Sequence, residues 1–576
     1  MSSDKEIKAL KNIWKELYPG MSENKLNKFI NELKEIKLKQ NLKPNEPEWY
    51  KDAIVYSLYV DLFNKDFSGL EAKLDYLNNL GVNCLWLLPV LDSPMKDAGF
   101  DIRDYKKIRS DLFGLTQTSD EQKHIIAFEN FLKKAHKKNI NVIFDIAINH
   151  TSNEHVWFVE SRKSSDNSYR DYYIWNKDTE LYKETRLLFE GMEPSNWEKD
   201  GNWYYFHRFF SFQPDLNYRN PDVLLEMSRN MVFWLQKGVD GFRADAIPYL
   251  WKEDGTDCEN LPQNHIIVRF FRAALDYVRP NTLLLAEACQ KPKEVVKYFG
   301  DGDECNAGYH FPLMPQMFKA IAKQSSKPVI YTLSPEVTPE IPESCQWFTF
   351  LRCHDELSLE LVYVSEEDRK YIHEIYCKFP QWDFRLGQGI SARLAELFSR
   401  DERKTGLAYS IMLTLPGTPV IYYGDEFGKT NDESYYKKMI KITGKDDTRF
   451  LVRGKIDWEE LETNLKNKDS FSSKVFSRIS RQIKTRKKYK SFGRGKIEWL
   501  ELSDKNGKKL PGILTYFRIF KNEKILIINN LSGEEKSILL TGETVIENGK
   551  EILGQEMKID GKTLILPAYG YYWILI

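Results

Sequence analysis

The chain has 576 residues, 42% hydrophobic and 14% aromatic, with 84 basic residues against 84 acidic ones. That length exceeds the ~250–300 residues at which a single core stops growing, so two or more domains are expected. Balanced charge, with a pI near 7.1, argues against nucleic acid as a partner, and no apolar run reaches the ~18 residues of a membrane span.

The N-terminal stretch carries no apolar core of signal-peptide length. Seven scattered cysteines, an odd number, show no metal-type spacing. A cytoplasmic protein with reduced thiols is the expectation. Ile7, Leu10, Trp14 and Leu17, then Leu26, Phe29, Ile30 and Leu33, recur at helical spacing. They predict a helical N-terminal extension over 1–49, acting either as a dimer contact or as a cover on the flank of the main body.

From Ala53 short β-branched and aromatic runs alternate with helix-like segments: AIVYSLYV, VNCLWLLPV, NVIFDIAIN, GVDGFRADA, TLLLAEA, WFTFLRC and TPVIYYGD. With ECNAGYHFPL as an eighth strand they predict an α/β fold, a (β/α)8 TIM barrel, with residues 50–490 as the catalytic unit. A doubly wound sheet competes, but no GxGxxG follows the first strand. Roughly sixty aromatic-rich residues between IAINH and QPDLN exceed an ordinary loop, which predicts a small domain inserted at about 151–212. The basic run RQIKTRKKYK at 481–490 reads as the solvated face of a helix. Short strands with Gly and Asn turns predict a C-terminal antiparallel β-sandwich over 491–576.

Polar residues at the C-terminal ends of barrel strands line the active site of such a fold. Here Asp97, Phe100 and Asp101 follow strand two, and Asn149 and His150 end strand three. Arg243 and Asp245 end strand four, Glu287 ends strand five, and His354 and Asp355 end strand seven. Asp245, Glu287 and Asp355 are therefore expected in one pocket. Two carboxyls across a glycosidic bond can break it; in a retaining enzyme they stand ~5–5.5 Å apart, one attacking and the other protonating the leaving oxygen. Arg243, two residues before Asp245 on the same strand face, is expected to keep Asp245 ionised as nucleophile. Glu287, reached through an apolar run, is the expected acid/base, and Asp355 the group that holds sugar hydroxyls. Cys289 and Cys353, each two residues from one of these carboxyls, read as packing neighbours. No His/Cys/Asp/Glu cluster shows metal-ligand spacing, which argues against metal-assisted hydrolysis.

At these residues the chain resembles the α-amylase superfamily, glycoside hydrolase family 13. DIAINH, GFRADA, LAEA and FLRCHDE are similar to the family motifs at strands three, four, five and seven, and QPDLN (Gln213–Asn217) to the fifth motif, in inserted domain B. The resemblance runs from about Pro47 to the C-terminus. It implies retaining action on an α-glucosidic bond through a covalent glucosyl-enzyme. Asp245 would be nucleophile, Glu287 acid/base and Asp355 transition-state stabiliser, with His150, Gln213, Arg243 and His354 lining the sugar pocket.

Two branches of the family match. YYFHRFFSFQPDLN and FLRCHDELSLE look like trehalose synthases, which interconvert maltose and trehalose; KDDTRFLVRGKIDW is similar to amylosucrases. A trehalose synthase-like glucosyltransferase is the preferred reading. The alternatives are an amylosucrase-like or sucrose-hydrolysing enzyme, an exo-acting α-glucosidase, and a non-catalytic sugar-binding protein, the last disfavoured because all three carboxylates are present. In both branches an aspartate after strand two pairs with an arginine after strand eight, here Asp97 and Arg449. A bidentate pair of that kind would confine action to the terminal glucose of small α-glucosides such as maltose, trehalose or sucrose. Phe100 stands where relatives often carry a stacking tyrosine. The resemblance implies no cofactor for the chemistry and, as in some members, a structural calcium with Asn149 and Asp215 as ligands.

Overall fold

A computed structural model of the chain describes residues 2–40, 42–114, 121–540, 549–554 and 557–576. Eight parallel strands close in chain order: β1 (Val55–Leu58), β2 (Cys84–Leu87), β3 (Asn141–Ala147), β4 (Gly241–Asp245), β5 (Leu283–Ala286), β6 (Ala307–Tyr309), β7 (Gln346–Phe350) and β8 (Thr418–Tyr422). β8 returns to β1 with Val420 beside Val55 and Tyr422 beside Ser57. Only Asn141 among these strand residues is not fully buried. Such strands must be almost continuously apolar, so the charges on β3 and β4 have to find partners inside. β4 approaches β5 so closely that a Cβ on Gly241 would lie 2.5 Å from the Leu283 carbonyl oxygen, which is why glycine starts that strand.

Helices α1 (Ser2–Leu17) and α2 (Asn24–Gln40) lie against two outer barrel helices, α3 (Pro221–Lys237) and α4 (Pro262–Val278). Leu10, Trp14, Leu26, Phe29, Ile30 and Leu33 are buried, at ~1.5–3 kcal/mol for each large apolar side chain. Phe29 stacks on Phe270 with ring centroids 6.0 Å apart, and Tyr18 Oη donates to the Tyr218 carbonyl at 2.8 Å. The extension thus covers the barrel flank.

The insertion folds around a three-stranded antiparallel sheet, with Trp203–Phe206 between Trp175–Asn176 and Trp197–Asp200. Its last stretch returns to the barrel rim: Leu216 N donates to the Asn149 carbonyl at 2.8 Å and Thr151 N to the Pro214 carbonyl at 3.2 Å.

Beyond the barrel, β9 (Lys496–Leu500), β10 (Ile513–Phe520), β11 (Glu523–Asn530), β12 (Lys536–Leu539), β13 (Lys550–Gly554), β14 (Lys558–Asp560), β15 (Thr563–Leu566) and β16 (Tyr571–Leu575) form two antiparallel sheets. Their orders are β9-β10-β11-β16-β13 and β12-β15-β14. Phe517, Leu526, Ile538 and Leu564 pack between them.

The basic run at 481–490 is only partly a wet face. Arg486, at the end of helix Phe471–Arg486, is buried and donates to the carbonyls of Leu413 and Gly417. Leu413 lies in the last turn of helix Glu402–Thr414, where carbonyls lack intrahelical partners and attract such a donor. Among the described residues no helix is long and apolar enough to cross a membrane.

Candidate active site

A charge buried in a strand is tolerated only when it is paired. Arg243 is the pivot of that pairing. Its Nη1 donates to Asp145 Oδ1 on β3 (2.8 Å) and to Asp245 Oδ1 (2.6 Å), and its Nη2 lies 3.0 Å from Glu287 Oε1 beyond β5. Asp145 also accepts from Trp86 Nε1 on β2 (2.9 Å). Sequence reasoning gave Arg243 to Asp245 alone and missed Asp145, although a charge inside IFDIA is the same signal as the charges in GFRAD.

Ala246, directly after Asp245, has φ 64° and ψ 33°, a strained left-handed conformation for a residue with a side chain. That turn aims its N–H at Glu287 Oε2 (3.0 Å), and Cys289 Sγ donates to Glu287 Oε1 (3.3 Å). Three sequence expectations are corrected here. Glu287 is not in an apolar setting, because three donors reach its carboxyl. Cys289 is one of those donors, not merely a packing neighbour. And Arg243 does not hold Asp245 down: burial, and then the Glu287 carboxylate, push Asp245 well above the usual carboxylate range. One guanidinium divided among three acids is outweighed by desolvation and like charge.

Asp355 is the opposite case. Burial alone would raise it, but His354 Nε2 (3.0 Å), Arg449 Nη1 (3.2 Å) and Arg453 Nη2 (2.8 Å) hold it well below the usual range. Arg453 was missed in the sequence, where it stands among other charges. Phe100 stacks on His354, centroids 5.6 Å apart, and lies 5.5 Å from the Arg243 guanidinium. Asp101 points away from the pocket, accepting from Ser93 Oγ and from the amides of Lys96 and Asp97.

At the far wall, Gln213 Nε2 donates to Asp97 Oδ2 (3.1 Å) and lies 3.4 Å from His150 Nε2. Burial lowers His150 below the usual histidine value. The expected bidentate Asp97–Arg449 pair is not formed; a single approach of 3.9 Å remains. Asp447, two residues before Arg449, takes the guanidinium instead, accepting from Nε at 2.9 Å and Nη2 at 2.7 Å. A near neighbour in sequence wins the fork from a partner 352 positions away, and the wall is a cluster of Asp97, Gln213, Asp447 and Arg449. Over the mouth, Leu188 and Phe189 of the insertion face Phe384 and Arg385. Arg385 Nη2 donates to the Leu188 carbonyl at 2.5 Å and ties the two sides together.

Asn149 and Asp215 do come together, but an ammonium lies between them. Lys252 Nζ donates to Asn149 Oδ1 (2.8 Å) and pairs with Asp215 Oδ2 (2.7 Å), all three buried. Calcium needs six to eight oxygens at ~2.3–2.6 Å; a lysine amine in that position fills the space and supplies the charge. So arranged, these residues do not fit the ion. Among the described residues, two clusters whose ligand atoms lie within 4.8 Å of one another also correct the reading that no such cluster exists: Cys353–His354–Asp355 and His373–Cys377–Asp383. In the first, Asp355 is already held by two arginines; in the second, His373 Nε2 is bonded to Asp383 at 2.7 Å.

Comparison with known proteins agrees with this arrangement. The family model for the alpha-amylase catalytic domain matches residues 45–379, and that for the C-terminal domain of alpha-amylase SusG matches 513–570. The chain belongs to the α-amylase family, glycoside hydrolase family 13. It is 37% identical to the trehalose synthase/amylase TreS of Mycolicibacterium smegmatis, over 92% of this chain and 93% of that protein. It is likewise 37% identical to a trehalose synthase of Pimelobacter sp., over 92% of this chain and 96% of that protein. The crystal structure of Bacillus licheniformis trehalose-6-phosphate hydrolase superposes with a TM-score of 0.67 at 22% identity, covering 92% of this chain and all of that one; at that identity the likeness concerns the fold. This family-13 enzyme therefore carries the family barrel, with Asp245, Glu287 and Asp355 at one rim.

Proposed function

We propose that this family-13 enzyme is a glucosyl-transferring isomerase that interconverts maltose and trehalose. Relatives named trehalose synthase, similar over nearly the whole chain, support the reading. The observation that carries it is the tied mouth, Arg385 to the Leu188 carbonyl over the carboxyl cluster. An isomerase must keep the released sugar beside its covalent intermediate and keep water out. A pocket bridged from both sides supports that better than an open cleft.

In the proposed reaction the Asp245 carboxylate attacks C1 of the terminal glucose while Glu287 gives its proton to the departing glycosidic oxygen. The C1–O bond breaks and an aspartyl glucosyl ester forms. The released glucose turns within the pocket and presents its anomeric hydroxyl. Glu287 takes that proton, the oxygen attacks C1, and the ester opens with net retention. Asp355, ionised by its two arginines and His354, faces the oxocarbenium-like charge that develops at each step. The productive state of the Asp245–Glu287 pair has its proton on Glu287. All seven cysteines are free, which supports a reducing compartment, the cytoplasm.

The elevated Asp245 sets a pH expectation. The attacking carboxylate must be ionised, so activity is lost as pH falls through its raised value. The acid limb of kcat/KM is expected clearly above the ordinary aspartate value of ~3.9; a limb at or below that value would contradict the raised Asp245. The function itself is tested by proton NMR of the purified protein with maltose, trehalose and sucrose separately. Trehalose forming from maltose with little free glucose is the expected result. Fructose release with growing α-glucan from sucrose, or free glucose alone from maltose, would replace this reading.

A further inference from the structure

We infer that Cys289 is a positioning residue for the Glu287 carboxyl; the inference rests on the acid/base reading of Glu287 above. Cys289 Sγ lies 3.3 Å from Glu287 Oε1. A thiol has one hydrogen, and Cys289 directs it at Glu287. Beside it the Tyr363 ring stacks on Phe311, centroids 5.6 Å apart and planes 17° apart. Tyr363, Cys289 and Glu287 share one side cavity of the active site with Phe311, Met314 and Phe350.

Burial, and then the Glu287 carboxylate, push the Cys289 thiol well above its usual range, so it stays protonated and remains a donor. Arg243 and the Ala246 amide also reach Glu287, but both are fixed, one by two other carboxylates and one by the backbone. The thiol is weaker and can rotate. That suits a group that must be protonated in one step and ionised in the next: the S–H favours the anion without locking it. The other titratable or charged groups facing this site are Arg243 and Asp245 on β4, Tyr309 on β6, and Cys353, His354, Asp355, Glu356, Glu360 and Tyr363 in the segment after β7.

The test is the basic limb of the kcat/KM profile on maltose, which reports the protonated acid. A donor to the carboxylate lowers its pKa, so losing the donor raises it, and the limb moves to higher pH. Cys289→Ala is expected to move it up by about half a unit. Cys289→Ser, which keeps a donor, leaves it in place. Thermal melts report whether each variant is folded; should Cys289→Ala fail to fold, Cys289→Val, which also lacks a donor but refills the space, carries the test. An unmoved limb in the folded variants would overturn the inference, as would Cys289→Ser shifting as far as Cys289→Ala. Glu287→Gln separates the two levels. It should lose turnover of maltose yet retain turnover of α-glucosyl fluoride, whose leaving group needs little protonation. Retained turnover of maltose would sink the reading of Glu287 itself.

Discussion

Asp245→Asn is expected to reduce kcat/KM on maltose by at least about 10⁴-fold, the scale on which removal of an attacking group acts. The amide keeps the shape of the carboxyl but cannot form the glucosyl ester. Arg243 retains Asp145 and Glu287 as partners, so the core of the site stays paired. The same variant carries a stability expectation with a definite sign. Asp245 is raised in the folded state by burial and by Glu287. A raised carboxyl stabilises the fold below its unfolded pKa, and that contribution is lost as pH rises through the folded value. At neutral pH the native aspartate therefore costs stability, and asparagine removes the cost. Inactive protein that melts at or above the wild-type temperature at pH 7 is the expected result, a trade of stability for activity. Turnover near wild type would remove Asp245 from the chemistry. A melting temperature several degrees lower would mean that the carboxyl is held for structure.

The barrel was legible because its eight strands are short, apolar and separated by helical segments, and because charges stand where those runs end. Asp245, Glu287 and Asp355 could be placed at one rim without coordinates, since residues that end parallel strands share an end of the barrel. What could not be read was who pairs with whom. Arg243 takes Asp145 from a strand about a hundred positions earlier, and nothing in IFDIA says which way that carboxyl points. Arg449 was assigned to Asp97 by analogy, while Asp447, two residues away, offered a shorter reach. The electrostatic order of Asp245 and Asp355 followed from the same gap: the first shares one arginine with two other acids, and the second has two arginines and a histidine. Nothing in the charged stretch WKEDG sets Lys252 apart from a solvated lysine, because burial of a long side chain depends on what the fold brings over it.

Lys252→Ala is expected to cost about 3–5 kcal/mol, the scale seen when one partner of a buried ion pair is removed. Asp215 and Asn149 would be left facing a void with an uncompensated carboxylate. The loss should appear as a lower melting temperature, and millimolar calcium should recover part of it, since the vacated space is lined by oxygens. The wild type should be indifferent to calcium and to EDTA. A wild type that melts lower in EDTA, or a Lys252→Ala variant that melts unchanged, would refute the internal-cation reading. The three residues come from three segments: Asn149 follows β3, Asp215 belongs to the stretch that returns from the insertion, and Lys252 follows β4. His150, next to Asn149, bridges Asp215 and lies beside Gln213 in the far wall. The ammonium therefore fixes the inserted domain to the rim at the point where the sugar pocket is built. A recruited ion would make that junction depend on ion concentration through mass action; a lysine in the chain keeps it at constant strength.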